Sequence, residues 1–147
     1  MRPSLIPCEV FETRLQAVQA LAGKASWPVP ERPLAAPPAL VLEEVCGVTC
    51  VVYDYQAWTD NVGTMQSLLR SLVTEYGRTR IVVDFSGQVY VGTPAVACIY
   101  ALWWALTEAG GRLGMCHLSQ ALLDFFHWHD RGRLIFPKQV EQERAEG

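Results

Sequence analysis

The sequence predicts an α/β domain whose mixed, mostly parallel sheet is covered by helices. From Leu40 onwards, short β-rich runs alternate with segments of helical periodicity, and such alternation implies right-handed crossovers between parallel strands. One run, "TRIVVDF", has a continuous series of β-branched residues at its centre, as expected of a strand that is buried on both faces. A chain of 147 residues is long enough for one such domain plus an extension.

The first predicted elements of the domain are a hairpin and a helix. "LVLEEV" and "VTCVVYDY" are rich in β-formers and flank Cys46 and Gly47, which predicts two antiparallel strands joined by a turn. In "NVGTMQSLLRSLVTEYG" the apolar residues recur at helical spacing up to Gly77, and "TRIVVDF" then supplies the next strand.

An uncharged stretch of 23 residues, from Phe85 to Thr107, is long enough to raise the question of a membrane span. Thr93 followed by Pro94 predicts a helix start, with the threonine as N-cap and the proline in the first helical position. The helix from Pro94 to Ala109 would be about 24 Å long, shorter than a bilayer core of about 30 Å. The stretch therefore predicts a strand, a turn and a buried helix, with no membrane insertion.

The remainder of the domain repeats the pattern. "GRLGMCHL" predicts a strand, Ser119 can cap a helix that ends near Gly132, and "RLIF" can add a short strand. The domain is expected to span residues 40–137, followed by a charged tail over 138–147.

The N-terminal part has a different composition. Phe11, Leu15, Val18 and Ala22 lie on one face of an amphipathic helix that Gly23 can end, within an extension over residues 1–26. Residues 27–39 are dense in proline and predict an extended linker.

Charge and cysteine content limit the functions to consider. The net charge of -3 leaves no basic surplus to neutralise a phosphate backbone, so nucleic acid is not expected as a partner. The N-terminus has no long apolar segment of the secretory type, and the five cysteines mostly lie in apolar runs. These features predict a protein of the cytoplasm.

The sequence contains no convincing catalytic or metal-binding motif. Cys46 and Cys50 have the spacing of metal ligands, but no second pair accompanies them, so they are expected to be ordinary strand residues rather than metal ligands or a disulfide. Cys116 and His117 would point to opposite faces of a strand, and His127 and His129 would diverge on a helix. No nucleophile elbow, phosphate-binding loop or paired carboxylates are present. We therefore expect a non-enzymatic protein without a metal or another cofactor.

The helix after Thr93 has two apolar sides. One stripe, assigned to the core, consists of Val96, Ile99, Trp103 and Leu106. Ala97, Tyr100 and Trp104 lie on another side, where a surface helix normally carries charge. Either the N-terminal extension covers this aromatic side, or the aromatic side is a surface that binds a partner or a second copy of the chain.

Three motifs carry a resemblance to a known family. Asp84, Phe85, Ser86 and Gly87 end one predicted strand; Gly110 to Leu113 lead into another; Leu118 and Ser119 precede the last helix. In this order and spacing, the stretch from Leu40 to Phe136 resembles the STAS domain, and in particular bacterial anti-sigma factor antagonists. The resemblance implies the STAS fold and a regulatory function.

The resemblance also implies a phosphorylation site. In the family, a partner kinase phosphorylates a serine in Asp-Ser-Ser-Gly, where this chain has Gly92, Thr93, Pro94 and Ala95. Thr93 is therefore the expected phosphate acceptor, although the family aspartate is absent. The partner would be an anti-sigma factor or a serine/threonine kinase of the histidine-kinase-like ATPase type. The residues expected to contact it are Gly92, Thr93, Pro94, Ala97, Tyr100 and Trp104.

Other interpretations remain open. Thr93 can serve as a helix cap alone. The chain can instead be a small cytosolic STAS subunit of a lipid transport complex in a membrane, docked permanently on an ATPase, or a scaffold without a phosphorylation switch.

Overall fold

The structure, a computed structural model, describes residues 8–22, 42–88 and 90–130, with the backbone alone for 126–130. Its elements, in chain order, are β1 Cys8–Phe11, α1 Arg14–Ala22, β2 Leu42–Val45, β3 Val48–Val52, α2 Tyr55–Asp60, α3 Val62–Thr74, β4 Arg80–Asp84, α4 Thr93–Ala109, β5 Arg112–Cys116 and α5 Gln120–Asp130.

The strands form one five-stranded sheet in the order β1-β5-β4-β3-β2. β1, β5, β4 and β3 are parallel, and β2 is antiparallel to β3. The predicted hairpin turn is present: Cys46 and Gly47 have φ of 51° and 78°, the left-handed conformations that a tight hairpin turn requires. The predicted fold class, a mostly parallel sheet with packed helices, is confirmed.

The N-terminal segment departs from the prediction of an amphipathic helix that includes Phe11. Cys8 to Phe11 form a strand, paired with β5 from Leu113 to Cys116, and the helix begins only at Arg14. Phe11 therefore does not share a helical face with Val18, because the edge of the sheet at β5 offers hydrogen-bond partners to the backbone of this segment.

A bidentate ion pair fixes this segment to the sheet. Arg112 of β5 donates through Nε to Glu9 Oε2 of β1 at 2.8 Å, and through Nη2 to the second carboxylate oxygen. Arg112 Nη1 also donates to the carbonyl of Ala20 near the end of α1, at 2.9 Å. One side chain therefore holds both β1 and α1 against β5.

The two faces of the sheet have separate apolar cores. On the first face, Ile81, Val83, Leu113 and Met115 pack in one cluster with residues of α2, α3, α4 and α5. On the second face, the core contains α1 residues and small strand residues: Ala17, Val18, Leu21, Val48, Cys50, Val82 and Cys116. Alternate strand residues thus reach opposite cores.

α1 does not cover the aromatic side of α4, which corrects one of the two interpretations of that surface. It packs against β3, β4 and β5 on the second face, whereas α4 lies on the first. The reason is that a parallel sheet has two apolar faces. Among the described elements, α1 is the helix that covers the second one.

The other predicted helices are found within a few residues of their expected bounds. Ser119 caps α5 by accepting a hydrogen bond at Oγ from the Leu122 amide at 3.2 Å. The short helix α2 was not predicted; Asp54 caps it by accepting from the Ala57 amide at 3.0 Å, and Trp58 anchors it in the core. The predicted linker 27–39, the helix ends at Gly23 and Gly132, the "RLIF" strand and the tail 138–147 lie outside the described residues.

No helix in the described part of the chain is both long enough and apolar enough to cross a membrane. The uncharged stretch from Phe85 to Thr107 is the end of a strand region, a loop and α4, as expected.

Candidate functional site

The first candidate site is the start of α4, where the sequence placed Thr93. Thr93 is exposed, but it is the first helical residue rather than the N-cap, which is Gly92. The Gly92 carbonyl accepts from the amides of Ala95 at 3.0 Å and Val96 at 3.4 Å, so the helix begins one residue earlier than predicted. Pro94 lies in the first turn, where its missing N–H costs no helical hydrogen bond.

The loop before α4 is fixed by a buried tyrosine. Tyr53 donates from its hydroxyl to the carbonyl of Tyr90 at 3.5 Å, and its ring centroid lies 5.0 Å from those of Phe85 and Trp58. Burial raises the pKa of Tyr53 well above its ordinary value, so it stays a neutral donor. The approach to Thr93 is therefore held in place by the core.

Two aromatic side chains flank this loop. Tyr90 is 60% exposed, and its ring centroid is 4.8 Å from that of Tyr55 in an edge-to-face arrangement. A Cβ at Gly92 would lie 3.5 Å from the Tyr55 ring, an ordinary van der Waals distance, so Gly92 lies directly beside this aromatic pair.

Four of the six predicted partner residues form a stripe along α4. We call Thr93, Ala97, Tyr100 and Trp104 the α4 stripe; their spacing of four, three and four puts them on one side of the helix. The stripe is about 16 Å long at 1.5 Å per residue. Thr93 and Trp104 are exposed at its two ends, and Ala97 and Tyr100 between them are half-buried.

The aromatic side of the stripe is layered. Trp103 is fully buried, and its ring packs edge-on against Tyr100 at 6.3 Å and Trp104 at 5.2 Å. Trp104 keeps 47% of its surface exposed. It borders a groove of about 250 Å³ between α3 and α4, lined by Arg70, Thr74, Ala101, Trp104, Ala105 and Glu108. The core stripe Val96, Ile99, Trp103 and Leu106 is buried, as predicted.

The second candidate site is a polar cluster that sequence reasoning missed. Asp84, at the end of β4, is only 2% exposed. Its Oδ1 accepts from the amide of Ser86 at 2.9 Å and from the hydroxyl of Ser86 at 2.7 Å. Its Oδ2 accepts from Arg14 Nε of α1 at 2.9 Å, and Arg14 Nη2 lies 2.8 Å from the same oxygen as an ion-pair contact. A buried carboxylate is thus satisfied from two separate segments of the chain.

His117 completes this cluster because β5 ends at Cys116. His117 has φ of 58°, an uncommon left-handed conformation for a residue other than glycine. Its Nδ1 lies 2.9 Å from Asp84 Oδ1 and 2.7 Å from Ser86 Oγ. The expectation that Cys116 and His117 diverge is therefore wrong: strand alternation stops at residue 116, and the turn brings the imidazole to the carboxylate.

The cluster controls the charge of its members. Burial by itself raises the pKa of Asp84, but hydrogen bonds from Ser86, His117 and Arg14 outweigh it and hold the pKa at about 2. Burial, together with the nearby Asp84 carboxylate, raises the pKa of the Cys116 thiol to about 12. At neutral pH the pocket therefore holds a carboxylate and a protonated thiol.

The residue types serine, histidine and aspartate occur together here, but not in the geometry of a catalytic relay. A relay uses the two imidazole nitrogens separately, one toward the carboxylate and the other toward the hydroxyl. In this cluster the same atom, Nδ1 of His117, faces both Asp84 and Ser86. The arrangement instead brings ligand-type atoms together: those of Asp84, Cys116 and His117 all lie within 4.8 Å of one another.

Comparison with known proteins identifies the type of fold. The chain has an α/β fold of the STAS type, as the sequence predicted. It is similar to the solved structure of the anti-sigma factor antagonist SpoIIAA in its unphosphorylated form, with a TM-score of 0.51 and 16% identity over 74% of this chain and 98% of that chain. No family model and no curated protein matches the sequence. At this level of identity, the likeness is one of fold.

Proposed function

We propose that the chain is a non-enzymatic regulatory protein of the STAS type that acts like an anti-sigma factor antagonist. Its partner would be an anti-sigma factor or a serine/threonine kinase of the histidine-kinase-like ATPase type, in the cytoplasm. The observation that carries the proposal is the exposed hydroxyl residue Thr93 at the first position of α4, on the same stripe as the exposed Trp104.

The aromatic part of the α4 stripe suits a protein partner. Trp104 is 47% exposed and rests on the buried Trp103, so a partner would meet a large side chain that is already positioned. Tryptophan and tyrosine are enriched among residues that dominate binding energy, in part because they bring much contact area and few rotatable bonds. Ala97 leaves room for a partner side chain between the two ends of the stripe.

Phosphorylation of Thr93 would change this surface by charge. A phosphate adds about two negative charges at pH 7. The helix start offers it few free amides, since Pro94 has none and those of Ala95 and Val96 are bonded to Gly92. We therefore expect the phosphate to remain exposed and to act mainly by repelling the partner, not by rearranging the first turn of α4.

The test is a phosphorylation assay with a candidate partner kinase and ATP, read out by mass spectrometry. We expect one phosphate on Thr93 and none in Thr93→Val. The matched control is Thr64→Val, because Thr64 is also an exposed threonine in the first turn of a helix, α3. An active kinase that modifies another residue, or none, would contradict the assignment of Thr93.

A second candidate function is permanent docking on an ATPase of a membrane transport complex. The observation that favours it is the departure at the helix start, where Pro94 follows the hydroxyl residue and Gly92 replaces the acidic residue of the family pattern. Binding assays separate the two functions. Thr93→Glu should abolish binding to a partner of the switched kind, whereas a permanently docked partner should tolerate it and still require Trp104.

A further inference from the structure

We propose that Asp84, Cys116 and His117 form a binding site for a zinc ion or a similar divalent transition metal. The site lies at the carboxyl ends of β4 and β5. It is independent of the proposed partner surface, because none of its residues belongs to the α4 stripe.

The three side chains supply ligand atoms of the right kinds in one place. A carboxylate oxygen, a cysteine sulfur and an imidazole nitrogen are the usual ligands of zinc in proteins. Here one ligand atom from each of Asp84, Cys116 and His117 lies within 4.8 Å of the other two, which is close enough for the three side chains to share one ion. The Ser86 hydroxyl lies 2.7 Å from His117 Nδ1, so a further oxygen is close to these ligand atoms.

The two carboxylate oxygens of Asp84 have different partners. Oδ2 is held by Arg14 through a hydrogen bond from Nε and an ion-pair contact with Nη2. Oδ1 accepts from Ser86 and faces His117 Nδ1. A ligating carboxylate is commonly fixed in this way, with the oxygen that does not bind the metal held by an outer donor. Arg14 therefore orients the carboxylate for a metal at Oδ1.

The backbone conformation of His117 contributes to this convergence. Its φ of 58° lies in the left-handed region, which residues other than glycine adopt uncommonly. The conformation brings Nδ1 to the cluster, whereas continuation of β5 would carry the ring away.

Metal binding would be coupled to loss of one proton. Cysteine binds a metal ion as the thiolate, so coordination by Cys116 would release its thiol proton to solvent. His117 would bind through Nδ1 as a neutral ring that carries its proton on Nε2. The ring is partly exposed, which leaves a route for the ion to reach the buried sulfur.

The experiment titrates Co²⁺ into the untagged full chain under reducing conditions. Because Cys46 is an exposed free thiol, the titration is done in a Cys46→Ser background. We expect one Co²⁺ per chain with a thiolate-to-metal charge-transfer band in the near ultraviolet, and displacement of that band by one equivalent of Zn²⁺.

Three variants locate the ligands. Cys116→Ser should lose the band, and His117→Asn should weaken Zn²⁺ binding at least about tenfold. Asparagine is chosen because it tolerates the left-handed conformation, so this variant should keep the native fold. The matched control, Cys98→Ser, removes a buried thiol from the other core and should bind Zn²⁺ normally.

Far-ultraviolet circular dichroism verifies that each variant is folded. The proposal is overturned if the Cys46→Ser chain shows no charge-transfer band, or if folded Cys116→Ser retains it. Undiminished Zn²⁺ affinity in His117→Asn also overturns it, even where Cys116→Ser does not fold. None of these results depends on a partner protein, so the proposed regulatory function is tested separately.

Discussion

Arg14 of α1 and Asp84 of β4 form an ion pair in which Arg14 Nε donates to Asp84 Oδ2 at 2.9 Å and Nη2 lies 2.8 Å from the same oxygen. The pair ties the N-terminal helix to the end of a central strand. It also supports the cluster with Ser86 and His117, since it neutralises a carboxylate that is almost fully buried.

Asp84 should make the stability of the protein depend on pH in the acid range. Its pKa of about 2 in the folded protein lies below the ordinary value of 3.8. A lowered native pKa stabilises the fold above the unfolded pKa, and this contribution disappears as pH falls from about 4 towards 2. At about 1.4 kcal/mol per pKa unit, it amounts to about 2 kcal/mol.

Urea denaturation of the wild type and of Asp84→Asn, between pH 7 and pH 2, measures this contribution. The difference in their free energies of unfolding should narrow by about 2 kcal/mol on acidification. Asp60→Asn, which removes an exposed carboxylate, serves as the control. A difference that stays constant down to pH 2 would refute the assigned pKa.

Leu21→Ala tests whether the N-terminal helix is an integral part of the folded unit. Leu21 is fully buried in the core of the second sheet face, so truncation should cost about 2–5 kcal/mol in the free energy of unfolding. Leu15, on the same helix, is 66% exposed, and Leu15→Ala should change stability by less than about 0.5 kcal/mol. Equal effects of the two changes in thermal or chemical denaturation would mean that α1 is not packed as described.

Gly111→Ala should destabilise the protein because a backbone atom occupies the space for a side chain. A Cβ at Gly111 would lie 2.3 Å from the carbonyl oxygen of Thr79, which also accepts the Arg112 amide at 2.8 Å. We expect the free energy of unfolding, measured by chemical denaturation, to fall by about 1–3 kcal/mol.

Gly63→Ala is the matched control for this change. Gly63 lies in α3, and no other described segment comes within 4 Å of the place that an alanine methyl group would take. Alanine should therefore raise stability by up to about 1 kcal/mol, because it has the higher helix propensity. Opposite signs for the two substitutions are expected, and a neutral Gly111→Ala would contradict the close contact with Thr79.

Substitution of Trp103 should mainly reduce the stability of the protein, and substitution of Trp104 should mainly reduce binding of the partner. Trp103 is fully buried, and Trp103→Ala should cost about 3–5 kcal/mol in the free energy of unfolding. Trp104→Ala should leave most of the stability intact and reduce binding of the partner.

Size-exclusion chromatography of Trp104→Ala also examines self-association. If the wild type is an oligomer and this variant is a monomer, the α4 stripe is a contact between copies of the chain.

Local sequence patterns were sufficient for most of the elements on the first sheet face. The apolar run of β4, the 3.6-residue periodicity of α3 and the proline near the start of α4 are each encoded within a few residues. The hairpin at Cys46 and Gly47 is equally local, because two adjacent left-handed residues define a tight turn. The bounds at Thr93 were off by one residue, since a threonine and a glycine can both end a loop before a helix.

The N-terminal segment could not be assigned in this way. β1 is only four residues long and pairs with β5 about a hundred positions later in the chain, so nothing near Cys8 to Phe11 distinguishes a strand from the first turn of a helix. Its apolar residues fit either period over so short a distance.

The sequence by itself determined the α/β class, the largely apolar helix that begins at Thr93 and the division of that helix into a core side and an aromatic side, because these depend on residues close together in the chain. Only the tertiary structure decided that α1 covers the opposite sheet face and that Asp84, Cys116 and His117 meet with Arg14. Those residues are brought together by parallel strands that end at one edge of the sheet and by a left-handed turn at residue 117, and neither leaves a periodic trace in the order of the amino acids.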